Sequence, residues 1–207
     1  MKRFLALFFV VAILAVGMAP ALANPSIGAL TVVGEVEVLR DEEHPLSDGI
    51  AELLDDGWYF IIREAHPETY ANPEVVKAVE TVNSSDTAAT LEDTLTNLKD
   101  FQPEGSTALS DLAGYDYVNQ FVELVLTNGE EYRFTEAGDE MTVRVTLKSD
   151  AIRGETPENI ERYLTMLINP NSGEIFTNSL LADTFDSAEG TIDAEFNATG
   201  AFALIEK

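Results

Sequence analysis

The chain carries two imidazoles, His44 and His66, and no thiol. A zinc site needs three or four nitrogen, sulfur or oxygen ligands. His44 follows Asp41, Glu42 and Glu43, a set that could form a metal cluster. These four residues are consecutive and run straight into Pro45, without the helical or hairpin spacing that turns ligands toward one point. A charged loop is the simpler reading. His66 stands directly before Pro67 and reads as part of a turn.

Carboxylate pairs are the other route to catalysis. Asp193 with Glu195, and Glu35 with Glu37, occupy alternate positions that share one face of a strand. Glycoside hydrolysis uses two carboxyl groups ~5–9 Å apart, which such spacing reaches. Polar-out alternation on the solvent face of an acidic sheet produces the same pattern without chemistry. Calcium could be held weakly by Asn169, Asn171, Gly173 and Glu174, or by Asp183, Asp186, Glu189 and Asp193. Neither stretch has the ligand spacing of an EF-hand loop. The first reads as a hairpin turn and the second as a solvated connection. Tyr115, Tyr117 and Tyr132 are candidates for contacting a glycan or peptide, whereas Trp58, Tyr59 and Phe60 are expected to pack a core. Ser110 has no basic partner nearby, and no G-x-S-x-G motif is present. No catalytic, cofactor-binding or metal-ligating residue is assigned. Weak calcium is the single cofactor left open.

Charge narrows the partners. The 207 residues include 37 acidic and 12 basic side chains, a formal net charge of −25. Such a chain repels polyanions and lacks the cations that neutralise phosphates, so nucleic acid is not an expected partner. A hydrophobic fraction of 45% is ordinary for a folded core.

The N-terminus explains where the protein is expected to act. Lys2 and Arg3 precede an unbroken apolar run over residues 4–16, and Ala21, Leu22 and Ala23 follow as a small-x-small cleavage pattern. Residues 1–23 therefore read as a cleavable signal peptide, with an apolar run shorter than the ~20 residues a stable membrane-spanning helix needs. No cysteine is available for lipidation, and no apolar anchoring tail is expected at the C-terminus. Exported eukaryotic proteins of this size commonly carry disulfides, so a cysteine-free exported chain points to a bacterial source. Asn83-Ser84-Ser85 and Asn197-Ala198-Thr199 then match the glycosylation acceptor pattern only incidentally.

The elements that must position these groups follow from periodicity. Leu30, Val32, Val36 and Val38 alternate with Glu35 and Glu37, predicting a half-buried strand. Ser47 can cap a short helix carrying Ile50, Leu53 and Leu54 and ending at Gly57, and residues 58–62 read as a buried strand. Pro73 opens a helix with Val75, Val79 and Val82 on one face, and Leu91, Leu95 and Leu98 mark another. Residues 102–106 read as a connector. Strands are then predicted at 118–126, 132–134, 141–147, 163–168, 175–176, 192–196 and 201–205, with turns at Asn128-Gly129, residues 170–173 and Gly200. About seven short strands in ~100 residues suit an immunoglobulin-sized sandwich. The expected fold is α+β: a leader over 1–23, a mixed α/β domain with two to three helices over 24–105, and an antiparallel β-sandwich domain over 106–207.

Residues 141–147, the turn segment LINPNSGE at 167–174, and GTIDAEF at 190–196 leading into GAFALI at 200–205 carry a resemblance. This half resembles the C-terminal immunoglobulin-like sandwich domains of small secreted and surface proteins of Gram-positive, Clostridia-type bacteria. The resemblance implies an exported, cell-surface context and a structural or binding role, and it transfers no catalytic residues.

The function expected is a non-catalytic extracellular binding or surface-interaction protein, with an extracellular protein or glycan as partner. The alternatives are a secreted carboxylate-dependent carbohydrate or cell-wall hydrolase, and an acidic envelope protein that binds a partner protein.

Overall fold

The computed structural model describes residues 30–84, 91–95, 107–136 and 138–207. The expected leader, the expected connector at 102–106 and the expected helix beyond residue 95 lie outside the described residues.

Among the described residues, ten strands form one antiparallel sheet. They are β1 (Thr31–Val38), β2 (Tyr59–Glu64), β3 (Asp116–Tyr117), β4 (Val122–Thr127), β5 (Tyr132–Arg133), β6 (Val143–Lys148), β7 (Tyr163–Ile168), β8 (Ile175–Asp186), β9 (Thr191–Phe196) and β10 (Gly200–Glu206). The spatial order is β1-β6-β9-β8-β7-β10-β4-β2, with β3 beside β10 and β5 beside β4. The α-helices among the described residues are α1 (Asp48–Asp55), α2 (Pro73–Ser84), α3 (Leu91–Leu95) and α4 (Pro157–Ile160).

The expectation of an α+β chain with an N-terminal α/β part and an immunoglobulin-like sandwich is corrected by this topology. The fold is predominantly β. Strands β1 and β2, from the N-terminal part, are the two ends of the same sheet, paired with β6 and β4 respectively. Alternation shows which face of a strand is apolar, but not which distant strand completes its ladder. The alternation in β1 is real: Val32, Val36 and Val38 pack on the main core. The sheet also runs on without a break through β8, which pairs with β7 over its first half and with β9 over its second. Only 175–176 of β8 reads as strand, because residues 177–186 lose clean alternation. Their ladder is irregular between Leu181 and Asp186, where the Thr184 hydroxyl accepts the Asp193 N–H at 2.9 Å.

The sheet curls around its main core. Phe196 on β9 and Phe202 on β10 stand three strands apart in the order, which in a flat sheet is about 14 Å. Their ring centroids are 4.7 Å apart. Leu124, Leu126, Val143, Val145, Leu147 and Ile192 fill the same interior. The convex side of β7 and β10 is also covered. There Met166, Ile168, Ala201, Ala203 and Ile205 pack under Val75, Val79 and Val82 of α2 and Leu91 and Leu95 of α3. Both central strands are thus buried on two faces, and alanines at 201 and 203 leave room for the helices.

The β8–β9 turn requires glycine. Gly190 has φ of +66°, and a Cβ there would lie 2.6 Å from the Ser149 carbonyl oxygen. Gly190→Ala is expected to cost about 2–4 kcal/mol, combining left-handed strain with backbone overlap. Urea unfolding checks this, and a cost below about 1 kcal/mol would show that the turn relaxes freely.

Candidate binding groove

Residues directly opposite on paired strands point to the same face. On β2, β4 and β5 one such row is Tyr59, Thr127 and Tyr132, and another joins Arg63 to Glu123. The first row ends in two exposed aromatics, Tyr59 at 50% and Tyr132 at 48%. The second row buries a charge. The Glu123 side chain is fully buried and bonds the Arg63 guanidinium through Nε. It also accepts the Tyr70 hydroxyl at 2.9 Å and the His66 backbone N–H at 3.2 Å. Burial, and then the Glu123 charge, push the Tyr70 hydroxyl well above its usual pKa, so it remains a donor.

This network fixes the groove wall. The Arg63 guanidinium lies 3.6 Å from the Tyr132 ring centroid. Tyr70 packs edge-on against Phe134 at 5.9 Å. Arg133, which pairs with Glu131 at 3.6 Å, lies 4.7 Å over the Trp58 ring. The β4–β5 connection shapes the rim. Asn128-Gly129 reads as a hairpin turn because both residues tolerate positive φ, and only Gly129 adopts it. Instead Asn128 Oδ1 accepts the Glu130 and Glu131 N–H groups at 2.9 and 2.8 Å, which opens a four-residue loop before Tyr132. Between this hairpin, the Thr69 turn and Asn171 lies an open groove of about 610 Å³, lined by Arg63, Tyr132, Arg133, Phe134 and the carboxylates of Glu130, Glu131 and Glu136.

The residues singled out from sequence fall in several places. Tyr132 lies in the groove. Tyr117 is buried, with its hydroxyl 2.8 Å from that of Thr94, and Tyr115 is half-buried near Lys207. Tyr59, expected in the core, is exposed, whereas Trp58 and Phe60 are buried as expected. Ser110 is exposed on a single 3-10 turn at Leu109–Leu112.

One carboxylate of each expected pair contacts a shared cation. Arg144 reaches Glu195 at 2.5 Å and Glu37 at 4.0 Å across β1, β6 and β9, while Asp193 accepts the Thr146 hydroxyl at 2.6 Å. Glu35 is exposed on β1. The Glu195 hydrogen bond raises the Arg144 pKa further. Asp41 holds its own loop, accepting the Glu43 and His44 N–H groups and contacting His44 Nδ1 at 2.8 Å. That contact lowers the Asp41 pKa. His66 Nδ1 contacts Glu68 at 3.0 Å.

The oxygens considered for calcium serve turns and pairs. Asn169 Oδ1 accepts the Asn171 and Ser172 N–H groups, and Glu174 accepts the Ser172 hydroxyl. Asp186 caps Ala188 and Glu189, and Glu189 pairs with Lys148 at 3.0 Å. Asp183 is exposed on β8. Among the described residues no three histidine or carboxylate side chains converge as metal ligands. Of the acceptor-pattern asparagines, Asn197 is exposed, whereas Asn83 clasps the Phe121 backbone with both amide atoms, at 2.7 and 3.0 Å.

The sequence reading passed over Arg63, Tyr70 and Glu123. A signal was present: Glu123 sits alone in the apolar run 121–126, and a carboxylate in a buried strand must have a partner.

The chain matches no family model, and comparison with curated proteins and with solved structures gives no match either.

Proposed function

We propose that the protein is exported and acts outside a bacterial cell as a non-catalytic binding protein, with the groove between the β4–β5 hairpin and the Thr69 turn as its binding site. The observation that carries this reading is the pre-set wall of the groove. Arg63 is held by a buried carboxylate and holds Tyr132 in turn, so its rotamer entropy is spent before a ligand arrives. The leader at 1–23 supports the location. The pairing of Glu37 and Glu195 with Arg144 favours binding over a two-carboxylate hydrolase, which needs one acid facing the other across a substrate.

A thermal melt of the purified protein tests the reading. A ligand bound only by the folded state adds about 2.7 kcal/mol at a hundredfold excess over its Kd. The melting temperature should rise by several degrees with the right glycan or envelope extract, and Tyr132→Ala, by weakening binding about tenfold, should cut the rise to about half. The same melt in millimolar calcium reports on the acidic turns. A rise undiminished by Tyr132→Ala would place binding elsewhere.

A further inference from the structure

We infer that the groove takes a neutral saccharide, an inference that rests on the binding reading above and names its ligand class. The Tyr132 ring is 48% exposed and lines the groove, and one of its faces is already covered by the Arg63 guanidinium at 3.6 Å. That cation engages the ring quadrupole, so a second cation on the other face gains little. An uncharged C–H face still gains dispersion there. A formal net charge of −25 works against an anionic ligand.

The polar groups point the same way. Glu130 and Glu136 offer acceptors, while Thr69 and Asn171 offer groups that both donate and accept. This is the complement of a ring of hydroxyls. A pocket for an apolar small molecule is lined mostly by hydrophobic side chains, whereas the residues here are mostly charged or amide- and hydroxyl-bearing, with Tyr132 and Phe134 as the aromatic surface. The groove is open along the hairpin and lies in the size range of ligand sites, roughly 300–1,000 Å³.

The protein supplies its own reporter. Trp58 is the single tryptophan, and Arg133 of the groove lies 4.7 Å over its ring. The intact protein would be screened on an array of neutral and acidic glycans. The bound glycan would then be titrated by Trp58 fluorescence, in parallel with a lysine-rich peptide.

The inference expects at least one neutral glycan to bind, with affinity that is flat from low to high salt. Tyr132→Ala should weaken it about tenfold, the equivalent of one aromatic contact, and Tyr132→Phe should retain it. Melting curves show whether both variants remain folded. If the peptide binds through Tyr132 and weakens with salt while no neutral glycan binds, the saccharide inference is overturned and the binding reading stands. If neither glycans nor peptide change the fluorescence, both are overturned.

Discussion

Glu123→Ala is expected to cost about 3–5 kcal/mol of stability, the penalty for removing one partner of a buried ion pair. The side chain is fully buried and serves three donors: the Arg63 guanidinium, the Tyr70 hydroxyl and the His66 N–H. Truncation strands all three. Arg63 is the least affected, since its side chain is 20% exposed and can turn toward water. Tyr70 is buried at the edge of the second core and has no such escape. Glu123→Gln should cost less than half as much, because the amide oxygen still accepts from Tyr70 or His66. A triple variant, Arg63→Met, Tyr70→Phe and Glu123→Leu, should recover most of the loss by removing both sides of each bond. Urea unfolding measures all three. A loss under about 1 kcal/mol for Glu123→Ala would mean that water reaches the site and that Arg63 is not pre-set, which would also weaken the functional reading.

The second large effect is expected at Phe202. Phe202→Ala should cost about 3–5 kcal/mol, by lost burial and the cavity left behind. Its ring lies 4.7 Å from that of Phe196, at the place where the curled sheet closes on its own interior. Total stability for a domain is about 5–15 kcal/mol, so this single change removes a large share of it. The main core, shared by both parts of the chain, also predicts how the loss appears. Trp58 of the N-terminal part lies in the same cluster as Phe202. Its fluorescence should therefore shift to lower urea together with far-UV circular dichroism, in one transition. Two separated transitions, with only the later one moved, would show that the two halves fold on independent cores.

Much of the strand content was legible in the chain. β6, β7, β9 and β10 stand within two residues of their expected ends: β6 and β9 because Val143, Val145 and Leu147, or Ile192, Ala194 and Phe196, alternate with polar residues, and β7 and β10 because short apolar runs are bounded by turns. Helix α2 begins at Pro73 as expected, where the missing N–H has no cost. The second half of β8 was not legible. It passes from β7 to β9 between Ser179 and Leu180 and then shifts register between Leu181 and Asp186, and a local pattern shows neither. Tyr59 was misplaced for a related reason. The aromatic run at 58–60 looks uniformly apolar, yet alternate side chains on a strand face opposite ways, sending Tyr59 out between Trp58 and Phe60.

By itself, then, the sequence determined the local quantities: which residues alternate, where turns interrupt them, and how acidic the surface is. These depend on neighbours a few positions apart. Tertiary structure alone decided that β1 and β2 cap the two ends of one sheet, that Arg63 meets Glu123 sixty positions away, and that Tyr132 stands over that pair. Such contacts are set by long-range ladder pairing and by a buried charge's need for a partner, and neither leaves a period in the chain.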